Sequence, residues 1–197
     1  MIKINNFFKN LLIFLFIFFP VNAEEKTLNI GNNEAKIVVK VFSSLTCPHC
    51  ANFHQNIFDN LKKEYIDEKI VKFEHHAFPL DLAALNAEII VRCQGDKTKR
   101  FQLLGEIYKK QKQWAVGSDI IPINDSIKKI ASEFGLDNKS MNQCLDNEET
   151  QDRILNERIE AQKKYKIQST PTIYINEKKY EGKHEYKYFK KALEKFL

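Results

Sequence analysis

The feature that most constrains this chain is a pair of cysteines two residues apart, Cys47-Pro48-His49-Cys50, at the junction of two different periodicities. Before it, residues 36–42 form a β-branched and mostly apolar run, which is typical of a buried strand. After it, large apolar side chains recur every four residues, which indicates one face of a helix. These side chains are Phe53, Ile57, Leu61 and Tyr65. The cysteines are therefore predicted to lie where a strand passes into the N-terminus of a helix.

This position predicts an acidic thiol at Cys47. Unpaired N–H groups and the positive end of the helix dipole favour an anion in the first turn of a helix. Pro48 suits the start of the helix, where its missing N–H costs little. His49 can donate a hydrogen bond to the Cys47 thiolate, or pair with it when protonated; the alternative is an exposed imidazole without a role. We expect Cys47 to be the nucleophile and Cys50 the less exposed thiol that resolves its disulfides.

A distant proline completes the pattern, because Ser169-Thr170-Pro171-Thr172 precedes another apolar strand run. A strand, CPHC, a helix and a late Thr-Pro before a strand resemble the thioredoxin fold. The Pro-His dipeptide is similar to that of the DsbA family of exported thiol-disulfide oxidoreductases. The resemblance implies an α/β protein in which a mixed central sheet is flanked by helices and a helical domain is inserted.

The same resemblance assigns a place to Thr170 and Pro171. In thioredoxin-like proteins the matching Thr-Pro bond is cis, and the loop faces the two cysteines, so that both residues are expected to help bind the substrate. From the sequence alone, a trans proline in a turn is the alternative, since trans is the commoner state of X-Pro bonds.

The first 23 residues predict a secretory signal. Lys3 and Lys9 give a positive start, residues 11–19 form an apolar core, and small or β-branched side chains precede an expected cleavage after Ala23. The core is short for a membrane span, which needs roughly 17 to 25 residues. An uncleaved N-terminal anchor is the alternative. In both cases the folded part is expected to face outward, and we expect a periplasmic location.

The rest of the chain divides into three parts. Residues 24–80 and 166–197 contain the strand patterns and are expected to form the two halves of the thioredoxin fold. Residues 81–165 contain helical patterns, and this helical insertion resembles the arrangement in DsbA.

Local patterns also predict the ends of several elements. In the insertion, Asp125-Ser126 indicates the start of a helix. A long charged helix over residues 148–164 is expected to bury four apolar side chains, Ile154, Leu155, Ile159 and Ala161. Near the C-terminus, residues 176–179 indicate a turn and residues 180–182 its partner strand.

Composition narrows the possible partners. Hydrophobic residues make up 43% of the chain and there are six glycines, which argues against disorder or a repeat array. Removal of Lys3 and Lys9 with the signal leaves 29 basic residues against 26 acidic ones, a net charge of +3. This balance does not favour a nucleic-acid partner, and the pI of about 8.9 indicates only mild attraction to anionic surfaces. We expect a monomer.

Two further cysteines, Cys93 and Cys144, lie in the helical insertion. We expect a structural disulfide between them, because an exported compartment favours oxidation. In the chain-entropy model such a bridge stabilises by up to roughly 4 kcal/mol. A second redox pair and two separately buried thiols are the alternatives.

Two other groups of residues have competing interpretations. His75 and His76 could complete a zinc site with the CxxC thiolates, but neighbouring residues of a strand point to opposite faces, so at most one of them can join it. We expect no metal, and no cofactor beyond the Cys47-Cys50 disulfide. Trp114 either packs in the helical core, which we expect, or lines an apolar groove for clients.

Two positions depart from the family pattern. Many relatives have an acidic residue six positions before the first cysteine, where it moves protons to and from the buried thiol, and this chain has Val41. Either water, His54 or Lys40 then takes part in proton transfer, or the proton transfer is slower. Thr170 replaces the valine of the best-known oxidases, and its hydroxyl can hydrogen-bond a sulfur and change the redox potential.

The expected function is donation of a disulfide to reduced or unfolded client proteins through a mixed disulfide at Cys47. As the resemblance implies, a membrane protein of the DsbB type would reoxidise the cysteine pair. One alternative is a disulfide isomerase or reductase. Another is a non-catalytic module with this fold that binds clients or a metal. A glutathione-transferase relative has little support, because those proteins normally replace the CxxC.

Overall fold

A computed structural model of the chain describes residues 27–197. The predicted signal, residues 1–23, lies outside the described residues. Within residues 27–197, no helix combines the length and the apolar composition needed to cross a membrane.

A five-stranded mixed sheet forms the centre, in the order β1-β3-β2-β4-β5. The strands are β1 (Leu28–Gly31), β2 (Ile37–Ser43), β3 (Val71–Ala77), β4 (Thr172–Ile175) and β5 (Lys178–Lys179). β2 and β3 are parallel, whereas the other neighbouring strands are antiparallel. β2 is paired on both sides, which explains why the apolar run before the CxxC is buried.

A continuous helical segment follows the CxxC and returns the chain to β3. It consists of α1 (Pro48–Phe53), a π-helical stretch (His54–Phe58), α2 (Asp59–Leu61) and a second π-helical stretch (Lys62–Ile66). The predicted apolar stripe, one residue in four, is buried along its whole length. A π turn contains more residues than an α turn, so the alternation keeps this four-residue stripe on one face.

Six helices lie between β3 and β4. They are α3 (Leu82–Cys93), α4 (Lys97–Lys109), α5 (Gln111–Trp114), α6 (Ile120–Ser132), α7 (Asn138–Leu145) and α8 (Glu148–Tyr165). The expected start of a helix at Asp125-Ser126 is wrong, because α6 begins at Ile120. The Asp119 carboxylate caps α6 by accepting a hydrogen bond from the Ile121 N–H at 3.0 Å, and Pro122 fits in the first turn.

The buried face of α8 differs in part from the prediction. Ile154 and Ala161 are buried, but Leu155 and Ile159 are 37% and 43% exposed. Polar side chains occupy the inner positions instead. Glu157 accepts a hydrogen bond from the Ala77 N–H at 3.1 Å, and Arg158 donates one to the Pro79 carbonyl at 2.6 Å. The sequence pattern does not show these contacts, because both involve main-chain groups about 80 positions away.

The C-terminal hairpin is tighter than the sequence pattern indicates. The turn comprises Asn176 and Glu177, and β5 is Lys178–Lys179 rather than residues 180–182. Asn176 adopts a left-handed conformation with φ of 53°, which asparagine tolerates, so two residues suffice for the turn. Its side chain also accepts a hydrogen bond from the Val38 N–H at 2.8 Å and fixes the hairpin against β2.

The chain closes with α9 (Tyr186–Leu193) and a 3-10 turn, Glu194–Phe196. Phe189 is fully buried and meets Phe53 of α1 edge to face, with ring centroids 6.1 Å apart. This contact supports the helix that begins at the CxxC. The whole arrangement, a mixed sheet flanked by helices with a helical domain inserted between β3 and β4, is the thioredoxin fold that the resemblance implies.

Candidate active site

The two cysteines lie at the junction that the sequence predicts, immediately after the central strand. Cys47 is the N-cap residue of α1 and Pro48 occupies the first turn. The Cys47 N–H donates a hydrogen bond to the Ser44 carbonyl at 3.1 Å, which shapes the loop after β2. Cys47 is 6% exposed and Cys50 is 1% exposed, and both are free thiols. The structure therefore describes the reduced form of the pair.

Gln111 of the helical insertion holds this loop in place. Its side-chain amide donates hydrogen bonds to the carbonyls of Leu45, at 2.7 Å, and Cys47, at 3.0 Å. Gln111 itself is buried. Sequence reasoning missed this residue, because a glutamine 64 positions from its partner belongs to no recognisable motif. The helical insertion thus contacts the loop of Cys47 directly through hydrogen bonds.

The surroundings of Cys47 favour its thiolate. Its pKa is lowered to about 5, chiefly because the Cys50 thiol hydrogen-bonds to it. Partial burial opposes this shift, whereas the Thr170 side chain and the N–H groups of Cys50 and His49 add to it. The first turn of α1 therefore stabilises an anion at this sulfur, as its position in the sequence predicts.

Cys50 has the opposite character. Burial, followed by the hydrogen bond and the charge of Cys47, raises its pKa far above the ordinary value. Ser43 and the Ser44 N–H lower it, but by less. The pair therefore has one acidic, slightly exposed sulfur and one buried sulfur that remains protonated while its neighbour is charged.

Pro48 and His49 form the exposed edge of the site. The main-chain N–H of His49 helps to lower the pKa of Cys47. Among the hydrogen bonds of residues 27–197, none joins the His49 imidazole to either sulfur. A role for this imidazole consequently stays a prediction.

The Thr170-Pro171 bond is cis, and it places Thr170 beside Cys47. The Cys47 thiol donates a hydrogen bond to the Thr170 carbonyl at 3.3 Å. β4 begins at Thr172, directly after Pro171, and Thr172 is paired with Phe42 of β2. The two loops that contain the cysteines and Pro171 thus leave the same edge of the sheet side by side.

Because position 41 is a valine, Lys40 and His54 are the side chains to consider for proton transfer to and from the buried thiol. The Lys40 ammonium contacts Glu177 at 2.6 Å, and residues of a strand alternate between its faces. Lys40 therefore lies on the side opposite Val41, away from the position of the missing acid. His54 is buried against Tyr108 and Phe58, with ring centroids 4.7 and 4.3 Å away.

Burial, assisted by His75, lowers the pKa of His54 to about 3. An imidazole with so low a pKa is a poor proton acceptor at neutral pH, which argues against His54 as the replacement for the acid.

His75 and His76 lie on opposite faces of β3. His75 is fully buried and its Nε2 lies 3.0 Å from a carboxylate oxygen of Glu88. His76 stacks on Phe42, with ring centroids 4.7 Å apart, and contacts Glu74. The two imidazoles therefore cannot both join Cys47 and Cys50 in one metal site.

The remaining candidates lie away from the CxxC. Cys93 and Cys144 are joined by a disulfide, with Cα atoms 6.0 Å apart, which links the end of α3 to α7. Trp114 is 1% exposed and its indole N–H donates to the Ile107 carbonyl at 2.8 Å. Trp114 thus belongs to the core rather than to a client groove, as expected.

Comparison with known proteins agrees with this geometry. Residues 23–195 match a protein-family model described as thioredoxin. A Rickettsia typhi protein with the provisional name protein-disulfide oxidoreductase is 32% identical over 148 residues, which cover 75% of this chain and 53% of the relative. The chain thus spans about half the length of that relative. Disulfide bond formation protein D of Bacillus subtilis is 28% identical, over 85% of this chain and 76% of that protein.

Among solved structures, the crystal structure of Wolbachia pipientis α-DsbA1 superposes with a TM-score of 0.79 at 27% identity, covering 86% of this chain and 90% of that one. BdbD of Bacillus subtilis superposes with a TM-score of 0.76 at 22% identity, over 87% and 92% of the two chains, and supports the fold. The family model spans nearly all of the described residues, and the CxxC and the cis-proline loop lie together at one edge of the sheet. The chain belongs to the thioredoxin family.

Proposed function

We propose that this protein is an exported, DsbA-like thiol-disulfide oxidoreductase that donates the Cys47-Cys50 disulfide to reduced or unfolded client proteins. The observation that carries the proposal is the contrast between the two sulfurs. Cys47 has its pKa lowered to about 5, and burial raises that of Cys50. A thiol pair with one stabilised thiolate favours its reduced form, so its disulfide is an oxidant. The names of the Bacillus and Wolbachia relatives support this assignment.

The reaction proceeds in two displacements. A client thiolate attacks Cys47 Sγ, the Cys47-Cys50 bond breaks, and its electron pair goes to Cys50. The second client thiol then loses its proton, which Cys50 takes up, and attacks the client sulfur of the mixed disulfide. Cys47 leaves as a thiolate, and its low pKa makes it a good leaving group. The client gains a disulfide, and the protein gains two electrons and one proton.

The Thr170-Pro171 loop is the proposed binding surface for the client. The Thr170 carbonyl lies 3.3 Å from Cys47 Sγ, so a chain joined to that sulfur must lie against residues 169–171. An extended client can add main-chain hydrogen bonds there, which gives affinity without demanding a particular sequence.

The remaining parts of the proposal rest on the sequence pattern and on the resemblance. The dithiol pair is the redox centre without a further cofactor, and a membrane protein of the DsbB type restores its disulfide. The signal at residues 1–23 directs the chain to the periplasm, where it acts as a monomer.

The test is disulfide transfer to a reduced, unfolded reporter such as ribonuclease. We expect the oxidised protein to form about one reporter disulfide per Cys47-Cys50 pair, and Cys47→Ser to form none. Cys50→Ala, mixed instead with the oxidised reporter, should attack a reporter disulfide through Cys47 and accumulate the mixed disulfide, because the resolving thiol is absent. The double variant Cys93→Ser/Cys144→Ser is the matched control and should transfer normally. Stoichiometric bound metal together with no transfer would instead establish a carrier module.

A further inference from the structure

We propose that the hydroxyl groups of Ser43 and Tyr108 form a donor relay that stabilises Cys50 as the leaving thiolate when the Cys47-Cys50 disulfide is attacked. The Ser43 side chain hydrogen-bonds to the reacting sulfur of Cys50, and Tyr108 acts through Ser43 as a positioning residue. The relay deepens the proposed oxidoreductase function and rests on it. It occupies the side of the sheet where Val41 leaves the site without an acidic group.

The first observation is a buried contact between the two hydroxyls. Ser43 Oγ and Tyr108 Oη are 2.7 Å apart, and both residues are buried, at 4% and 1% exposure. Ser43 ends β2, and strand alternation places its side chain on the face of Val41, towards α1. Tyr108 comes from α4, so the contact connects the inserted helices to the central strand directly behind the CxxC.

The second observation concerns the direction of the hydrogen bonds, which the distance between the two oxygens alone leaves open. The Ser43 side chain hydrogen-bonds to Cys50 and favours its thiolate. A serine hydroxyl carries one proton, so while Ser43 donates to the sulfur it must accept from Tyr108. Burial, together with the charge of Cys50, raises the pKa of Tyr108 well above its usual value. Tyr108 therefore keeps its proton, and the donor order is Tyr108 to Ser43 to Cys50.

The buried surroundings of the relay explain why Cys50 needs donors. The Tyr108 ring stacks on neutral His54 and meets His75 edge to face. His75 contacts Glu88, a buried carboxylate. The charge of Glu88 raises the pKa of Tyr108, as do the charges of Cys50 and Cys47. Arg92 pairs with Glu88 at 3.1 Å, so burial rather than net charge makes a new thiolate on Cys50 costly. Hydrogen bonds to an anion in a buried site are stronger than those between neutral groups.

The relay acts on one species in the reaction. An attacking thiolate forms a bond to Cys47 Sγ, the bond between the two sulfurs breaks, and the electron pair goes to Cys50, where the Ser43 proton faces it. In the reverse step the same thiolate attacks the mixed disulfide at Cys47 and expels the incoming thiol. In the stable end states Cys50 is either a thiol or part of a disulfide. The relay therefore lowers both barriers and leaves the redox equilibrium unchanged.

The test measures both rates and the equilibrium in the full protein with glutathione as the probe. We expect Ser43→Ala to slow the attack of glutathione on the oxidised protein about tenfold, as for the loss of a hydrogen bond to a charged group. Closure of the Cys47-glutathione mixed disulfide should slow by a similar factor. The equilibrium constant with glutathione should change less than about twofold. Ser43→Thr, which keeps the hydroxyl, should restore both rates.

Tyr108→Phe keeps the ring and removes only the outer donor, and it should slow both steps about threefold. This variant decides the matter if Ser43→Ala fails to fold. The matched control is Tyr65→Phe, which removes the hydroxyl of another buried tyrosine, 3.3 Å from Glu194, and should leave both rates unchanged.

Unchanged rates in Tyr108→Phe, or a loss in Tyr65→Phe as large as in Tyr108→Phe, would overturn the relay. A protein that exchanges with glutathione as described but transfers no disulfide to a reporter would overturn the proposed function instead. The two failures are therefore distinguishable.

Discussion

The main-chain carbonyl oxygen of Thr170 accepts a hydrogen bond from the Cys47 thiol at 3.3 Å. Among the described residues, the Thr170 hydroxyl is one of three buried side-chain polar groups without a hydrogen-bond partner. The same side chain lowers the pKa of Cys47. The Thr170 carbonyl therefore accepts from Cys47 when Cys47 is a thiol. The Thr170 hydroxyl donates to Cys47 when Cys47 is a thiolate.

This relationship gives the first prediction, for Thr170→Val. Valine keeps the shape but removes the donor, so the pKa of Cys47 should rise by about one unit, which is a factor of ten in the thiolate equilibrium. The oxidised protein should become a weaker oxidant by up to the same factor. The thiolate absorbance near 240 nm, followed against pH, measures the shift. Thr98→Val, on the exposed side of α4, is the control, and equal pKa values in both variants would refute the role of the hydroxyl.

A second prediction concerns the pH dependence of stability in the two redox forms. The folded pKa of Cys47, about 5, lies below the value of about 8.5 expected in an unfolded chain. The thiolate therefore stabilises the folded reduced form fully above the unfolded value, and this stabilisation is lost as the pH falls towards 5.

We expect the free energy of unfolding of the reduced form, minus that of the oxidised form, to decrease from pH 8 to pH 5. Urea unfolding of both forms at each pH measures it. Reduced Cys47→Ser should show no such decrease. A difference that is constant with pH would contradict the acidic thiol.

A third prediction concerns Glu88, which is buried between His75 and Arg92. Burial raises its pKa, but the charges and hydrogen bonds of His75 and Arg92 prevail and lower it to about 2. Because the folded pKa is depressed, Glu88 contributes stability above its unfolded value of about 4.3, and this contribution is lost as the pH falls through that range towards 2.

Glu88→Gln should therefore destabilise the protein by about 3 kcal/mol at pH 7, since it leaves buried charges without their partner. It should also reduce the loss of stability between pH 5 and pH 3. Urea unfolding at each pH, with the exposed Glu160→Gln as control, tests both expectations. An acid profile identical to that of the unmodified protein would show that another carboxylate is responsible.

A fourth prediction concerns Gln111, which supports the loop before α1. Gln111→Leu leaves the buried carbonyls of Leu45 and Cys47 without their donor, so we expect a loss of about 2 kcal/mol in the free energy of unfolding. Disulfide transfer to a reporter should slow as well, because the Cys47 loop is no longer fixed. Gln113→Leu, at an exposed position of the same helix, is the matched control. Equal transfer rates in the two variants would show that the loop holds its shape without Gln111.

The parts of the fold that the sequence predicts are those with a local signal. The run before Cys47 and the four-residue stripe after Cys50 each indicate one element, and together they place the cysteines at the N-terminus of α1. The start of α6 and the length of the turn that begins at Asn176 differ from the prediction, because several residues in each stretch are compatible with a cap or a turn. The exposure of Leu155 and Ile159 depends on which neighbours α8 has.

The support behind the site has no local signal at all. Gln111 reaches the Cys47 carbonyl across 64 positions, and Ser43 meets Tyr108 across 65. A single sequence shows a serine at the end of a strand and a tyrosine on an apolar helix face, and both are ordinary there. Only the packing of the inserted helices on the sheet brings these polar groups together behind the cysteines.

The measurement that tests the central claim most directly is the equilibrium of the protein with glutathione buffers, with Cys93→Ser/Cys144→Ser alongside to isolate the Cys47-Cys50 pair. A stabilised Cys47 thiolate predicts a reduction potential well above that of thioredoxin, towards about −120 mV. That result would establish a disulfide donor despite Val41 and Thr170. A potential near −270 mV would contradict the account and indicate a reductase.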